Sequence, residues 1–298
     1  ITGWPGGKPD ADDTYRPERA KPFPKRCLVL SPEPQDAVVG MGGTLDRLTE
    51  QGHDVVLAAL TSGSLRVPDS EADKFASTLA ELGGLSSNTE DWKEQTDYAR
   101  EMLRILEEKG EFGEDPPVLR QLKGLVLRGE FRDAAHALRL TSEKVRFLDL
   151  PFYERGRYRR FHAAEEDIAA VVDLLNKVRP HQIYCTGDAA DPSSVAGISY
   201  GILLAALKQC SAEDWASTCS LWSYRGREKA LEAHEIDMAV PMSPQQLETK
   251  ARALTRFGSL SSLEQHAPER NRAHAAEYDA LGLAEYEAIE AFQRLSRR

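Results

Sequence analysis

Residues 27–48 read CLVLSPEPQDAVVGMGGTLDRL, and this stretch decides the fold. Cys27 to Leu30 form an apolar run of the length of a buried strand, and Pro32 and Pro34 punctuate the turn that follows. Gly40, Gly42 and Gly43 lead into an apolar-periodic helix, expected to begin near Gly42–Thr44 and to end at Gly52. DVVLAALTSG at 54–63 repeats the buried-strand pattern, so the unit reads as βαβ with parallel strands. Ligands in such open sheets sit beyond the carboxyl ends of the strands, which places Glu33, Gln35 and Asp36 where chemistry is expected.

Working outward, KVRFLDLPFYERG at 144–156 and RPHQIYCTGDAADP at 179–192 predict a third and a fourth strand, with helices at 163–178 and 197–210. SLWSYRG at 220–226 and HEIDMAVPM at 234–242 predict short late or edge strands. Helices are expected over 244–256, with Ser243 as N-cap and Gln246 completing a capping box, and over 273–295. Residues 70–137 show helical periodicity broken at GEFGEDPP, 110–117, and read as an insertion or as a helical layer on the sheet. The alternation predicts a Rossmann-like three-layer α/β domain at 27–260, with the helical insertion at about 70–140. An irregular, Gly- and Pro-rich arm or linker at 1–26 and a helical tail at 261–298 flank it.

A formal net charge of −10 argues against nucleic acid or an anionic membrane as partner, since both call for clustered Lys and Arg. RGRYRR at 155–160 is the local exception, read either as an anion-binding loop through Arg155 and Arg159 or as a solvated one. No apolar run is expected to reach the about 20 residues of a membrane span. Four cysteines without CxxC spacing, two of them inside strands, suit a reducing cytoplasmic compartment. The chain opens on Ile and reads as a processed or excised piece of something longer.

A dinucleotide site fails at once: Leu45 stands where the third glycine of GxGxxG belongs, and no acid closes the second strand. The glycines then serve close helix–strand packing or, as a lesser reading, an anion at the helix N-terminus. The seven histidines show no zinc-ligand spacing. Glu33, Asp36, Asp188 and Asp191 form an acidic set at neighbouring strand ends. It is read as a weak Mg²⁺ or Ca²⁺ site or, in preference, as carboxylates neutralised by Arg155 or Arg159, with Asp188 and Asp191 capping turns.

SPEPQDAVVGMGGTL, residues 31–45, resembles the signature of the LmbE-like (PIG-L-like) zinc de-N-acetylases, (S/A)-P-H-P-D-D-(E/A) followed by G and G-G-T. The likeness continues through TSG at 61–63, FLDLPFYERG at 147–156, PHQIYCTGDAADP at 180–192, EIDMAVPMSPQQL at 235–247 and 269–292. More narrowly, the chain resembles the C-terminal domain of bacterial glucosamine-6-phosphate-deaminase-like proteins, where a stretch like residues 1–26 links two domains. In that family the motif His and second Asp bind zinc with a later His, the first Asp is the general base, and a further His serves the tetrahedral intermediate.

Carried over residue by residue, the resemblance puts Glu33 in the ligand His position and Gln35 in the base position, and keeps Asp36. Ser193 replaces the catalytic His and Ala196 the third ligand. An amide cannot take a proton, so hydrolysis by the family mechanism is expected to be lost. Ser62, Tyr153, Glu154, Arg155 and Arg159 are the expected substrate-binding residues. The chain is thus expected to be a degenerate de-N-acetylase-like domain without cofactor, where the family carries zinc. Its remaining role is binding an amino-sugar or sugar-phosphate ligand, or acting as a structural or oligomerisation module. The alternative is a metal-dependent N-deacetylase of N-acetylated amino sugars or sugar phosphates, using Glu33, Asp36 and an unidentified third ligand. A homo-oligomer and a deaminase-like domain are the expected partners.

Overall fold

The computed structural model describes residues 23–85, 92–110, 113–155, 161–186, 191–226, 230–258, 260 and 262–295. In chain order the first elements are β1 (Arg26–Ser31), α1 (Asp36–Glu50), β2 (Asp54–Ala59), α2 (Asp69–Leu85), α3 (Lys93–Lys109) and α4 (Pro117–Ala137). Then come β3 (Val145–Phe147), α5 (Pro151–Glu154), α6 (Glu165–Val178), β4 (Gln182–Cys185), α7 (Val195–Gln209), α8 (Asp214–Thr218) and β5 (Ser220–Ser223). The chain closes with β6 (Met238–Met242), α9 (Pro244–Leu254), α10 (Ser262–Gln265), α11 (Ala267–Ala280) and β7 (Ala288–Arg294).

The sheet runs β3-β2-β1-β4-β5-β7-β6, with β1 to β5 parallel and β7 antiparallel to both its neighbours. Strand side chains alternate between faces, so Cys27, Val29, Val55 and Leu57 pack under α1, α4 and α9. Leu28, Leu30, Val56 and Ala58 pack on the other face with α6 and α7. Both faces are covered, which is why β1 and β2 read as continuous apolar runs. The architecture is the three-layer α/β sandwich expected.

Several expectations need correction. The stretch 273–295 is not helical throughout: α11 stops before Gly282, whose φ is +73°, and residues 288–294 form β7 inside the sheet. The last segment is therefore part of the domain rather than a helical tail. Helix α1 begins at Asp36, not near Gly42, although Met41 leaves helical backbone (φ −146°, ψ 27°) and divides it. The 18-residue window Val195–Ala212, with mean hydropathy 1.3, is apolar enough to cross a membrane by length and composition, a feature the sequence reading passed over. Ile202, Leu203 and Ala206 from it are buried in the sheet core.

The kink in α1 explains its glycines. Gly43 and Thr44 begin the second helical half, and their N–H groups donate to the Glu290 carboxylate at 3.0 and 2.6 Å. The anion at this helix N-terminus is thus the chain's own, delivered by β7. Lys250 Nζ closes the network at 2.7 Å from Glu290 Oε1 and 2.8 Å from Asn271 Oδ1, with Lys250 and Glu290 fully buried. Burial pulls the Lys250 ammonium below its ordinary value against the opposing pull of Glu290. At Gly40 a Cβ would stand 2.8 Å from the Arg225 carbonyl oxygen, so α1 lies against the end of β5 only because no side chain is there.

The insertion divides between the two readings given it. α4 joins the main core through Leu127, Phe131 and Ala134. Its Leu119 and Leu122 make a smaller core with Ala72 and Ala76 of α2 and Met102 of α3.

Candidate functional site

The site is built on the turn between β1 and α1. Ser31 Oγ donates to the Glu33 carbonyl at 2.6 Å and accepts from the Ala37 N–H at 2.9 Å, which folds the proline-punctuated loop back on itself. Asp36 Oδ2 accepts from the Glu33 N–H at 2.9 Å. Thr61, just past β2, donates its hydroxyl to the Pro32 carbonyl at 2.7 Å and holds the T-S-G turn beside this loop. Gly63 makes that contact possible: its φ is +64°, and a Cβ would stand 2.8 Å from Pro34 Cδ.

Glu33, Gln35 and Asp36 are all brought together here and all buried, at 3%, 1% and 3% exposure. Their surroundings differ from expectation in one respect that matters. Arg155 does not neutralise them: it lies at the surface and pairs with Glu166. The guanidinium at Glu33 belongs to Arg66, with Nε 3.7 Å from Glu33 Oε2, while Arg66 Nη2 lies 2.8 Å from both oxygens of Glu264 on α10. A chain neighbour eleven positions away captures Arg155, and Arg66 arrives instead from the short turn Ser64–Arg66 after β2.

Gln35 has a different problem. Neither Oε1 nor Nε2 of its side chain has a hydrogen-bond partner among the described residues, although the residue is almost wholly buried. A buried amide without partners loses its hydration without compensation, so this position is held against a cost.

Tyr153 is buried beside the same turn. Its hydroxyl accepts from the Leu65 N–H at 3.1 Å, and its ring stacks on Phe161 at 5.2 Å between centroids. Burial first, then the Glu33 charge, pushes the phenol well above its ordinary value, so it stays protonated. Glu154 Oε1 accepts from the Ser62 N–H at 3.3 Å. Ser62 and Glu154 line a cavity of about 440 Å³ whose far wall is α4.

The acidic set at the strand ends does not assemble among the described residues. Asp191 is exposed, accepts from Ser193 Oγ at 2.9 Å, and belongs to the turn that Ser194 closes as N-cap of α7. Asp188 and Arg159 lie outside the described residues. Ala196 sits in the first turn of α7 with no donor atom. The histidines singled out are elsewhere. His53 and His181 accept from the Lys25 and Arg26 N–H groups at the opposite end of the sheet, and His234 is exposed beside Glu232.

Zinc sites use three or four His, Cys or carboxylate donors around one point. Here the Glu33 carboxylate faces a guanidinium, the Asp36 carboxylate is turned onto the Glu33 amide, and position 196 offers a methyl group. Among the described residues no group of three or more His, Cys, Asp or Glu is arranged to hold a metal ion. The described side chains do not fit zinc. Magnesium or calcium on Glu33, Asp36 and Asp191 finds no support in this geometry either, because Asp191 is engaged in its own turn.

Sequence reasoning missed Arg66 and Glu264. Arg66 stands a few residues past the end of β2, so the strand-end rule that singled out Glu33 could have found it. Glu264 comes from an element remote in sequence, and no local signal marks it.

The GlcNAc-PI de-N-acetylase (PIG-L) family profile matches residues 28–194. A glucosamine-6-phosphate deaminase-like protein of Bacteroides thetaiotaomicron is 42% identical over 305 residues, covering 98% of this chain and 46% of that protein. The chain therefore spans about half the length of that relative. A stretch of 58 residues, 20% of this chain, is 40% identical to the diacetylchitobiose deacetylase of Thermococcus kodakarensis and covers 22% of it. Among solved structures, the 4-carboxy-2-hydroxymuconate hydratase of Pseudomonas putida superposes with a TM-score of 0.60 at 14% identity, covering 92% of this chain and 97% of that one. The N,N'-diacetylchitobiose deacetylase of Pyrococcus horikoshii gives 0.55 at 13% identity, covering 92% and 84%. These structural likenesses are of fold: one sandwich serves a hydratase and a deacetylase, so the reaction must be read from the side chains.

Proposed function

The chain belongs to the GlcNAc-PI de-N-acetylase (PIG-L) family, and from that membership we propose that it is a de-N-acetylase-type domain that has given up hydrolysis and keeps a ligand-binding role. The observation that carries this reading is the Glu33–Arg66–Glu264 ion pairing. A fixed positive guanidinium stands at the carboxylate that occupies the family's first ligand position, and like charge disfavours a metal cation beside it. Gln35 adds to the argument, because an amide in the base position cannot deprotonate water. The ligand class proposed is an amino sugar or sugar phosphate, held on the Ser62–Tyr153–Glu154 side of the turn. The deaminase-like name and double length of the Bacteroides relative support a deaminase-like second domain as partner.

The test is metal content and acetate release together. The zinc-repleted chain is expected to hold well below one zinc and to release no acetate from N-acetylglucosamine or its 6-phosphate. Stoichiometric zinc with metal-dependent acetate release would overturn the proposal. It would favour the second reading, an N-deacetylase of N-acetylated sugars, for which the similarity to the Thermococcus diacetylchitobiose deacetylase is the supporting observation.

A further inference from the structure

The cavity at Ser62 and Glu154 is closed by α4, a helix of the insertion. Positions 120, 124, 128 and 132 of α4 follow one another at steps of four and so share a face. Three are arginines, and the fourth is Gly124. Gly124 is directed at the T-S-G turn: a Cβ there would lie 3.1 Å from Ser62 Cβ. The missing side chain lets the helix approach the turn and leaves the cavity open between Arg120 and Arg128. Its volume of about 440 Å³ falls within the roughly 300–1,000 Å³ of small-molecule sites.

Both guanidinia are held in place. Arg120 Nη2 donates to the Tyr153 carbonyl at 2.8 Å, and its guanidinium lies 5.8 Å from the Tyr153 ring centroid. Arg128 pairs with Asp149 and lies 4.6 Å from the centre of the Phe147 ring. Asp149 itself adopts φ +47°, a left-handed conformation uncommon for a residue with a side chain, and its carboxylate accepts from Arg128 Nη2. Across the cavity, the Glu154 carboxylate makes a long 3.3 Å contact with the Ser62 N–H.

The lining therefore carries two cations, Arg120 and Arg128, and two anions, Asp149 and Glu154, with Ser62 and Gln121 as neutral polar groups. A purely anionic ligand would meet two like charges in such a pocket, and a purely cationic one would as well. A ligand bearing both signs satisfies the whole lining. We propose that this cavity binds a phosphorylated amino sugar, with the phosphate accepting from Arg120 and Arg128 and the ammonium donating to Glu154. Among the described residues, the phosphate clamp is thus placed on the helical insertion. Arginine forks suit phosphate oxygens, and a carboxylate facing them selects for the amine. The inference rests on the ligand-binding reading above and deepens it by naming the ligand's charge pattern.

The test is titration calorimetry of the chain with glucosamine 6-phosphate, glucosamine, glucose 6-phosphate and inorganic phosphate. Glucosamine 6-phosphate is expected to bind at least tenfold more tightly than each of the other three. Arg128→Gln should weaken it at least tenfold. Glu154→Gln should weaken glucosamine 6-phosphate while leaving glucose 6-phosphate unchanged. Gly124→Leu, which fills the cavity without touching a charge, should abolish binding, and circular dichroism checks that each variant is folded. Sugar binding without preference for the phosphorylated amine, or binding untouched by Arg128→Gln and Gly124→Leu, would overturn this assignment and leave the ligand-binding reading in place. No binding of any sugar would sink both. Acetate release accompanied by the expected selectivity would sink only the loss of hydrolysis.

Discussion

Arg66 joins two buried carboxylates that are far apart in the chain: its Nε stands 3.7 Å from Glu33 Oε2, and its Nη2 stands 2.8 Å from both oxygens of Glu264. The pairing ties the β1–α1 turn to the C-terminal helices. Removing one partner of a buried ion pair leaves charge without compensation, so Arg66→Met should destabilise the fold by about 3 kcal/mol. Urea denaturation reads this as a lowered midpoint. An unchanged midpoint would mean that Arg66 does not hold these carboxylates.

Gln35 makes the opposite prediction. Its buried amide atoms have no partners among the described residues, so Gln35→Met, which keeps the length of the side chain, should stabilise the protein by about 1 kcal/mol. A loss of stability instead would show that the amide is satisfied in solution.

Two glycines should respond to alanine with opposite signs. Gly40 faces the Arg225 carbonyl and a Tyr224 ring that is itself locked by a 2.8 Å hydrogen bond to the Leu30 carbonyl. Gly40→Ala should cost about 1–3 kcal/mol by overpacking. Gly129, within α4, has open space where its Cβ would be, so Gly129→Ala should stabilise by up to about 1 kcal/mol through helix propensity. Paired thermal melts decide it, and shifts of the same sign would contradict the packing described.

How much of this was legible in the sequence follows from where each signal lives. β1, β2 and β4 were visible because both faces of the sheet are covered and the strands are apolar throughout. β7 was not, because AEYEAIEAF at 284–292 is rich in Ala and Glu, both favourable in helices. It forms a strand because β5 and β6 flank it, and Glu290 is buried there because Lys250 and the kinked α1 receive its charge. Those partners are tertiary and leave no local trace. Gly282 after α11 was the one local warning that the helix ends. At the site, Glu33, Gln35, Asp36 and Ala196 were legible as a motif. Of the arginines expected there, Arg155 is drawn away to Glu166, and Arg66 stands at Glu33 because proximity across strands, not sequence distance, selects it.

A pH dependence comes from the opposite end of the sheet. His181 Nδ1 accepts from the Arg26 N–H at 3.0 Å, a bond that needs the neutral ring. Burial, then the charges of Arg26 and Lys25, lower its pKa from 6.5 to about 4. Between about pH 4 and 6.5 the unfolded chain binds the extra proton, so this residue's contribution to stability is full above 6.5 and is lost as pH falls towards 4. His181→Asn keeps an acceptor but cannot titrate, and it should flatten stability over that interval. An unchanged slope would remove His181 as the cause.

In the reading proposed above, the Arg66 guanidinium beside Glu33 excludes a metal ion. Zinc per chain, measured by mass spectrometry after repletion and desalting, tests it most directly. Well below one zinc per chain, unchanged by Asp36→Ala, is expected. One zinc per chain, lost on Asp36→Ala, would contradict it.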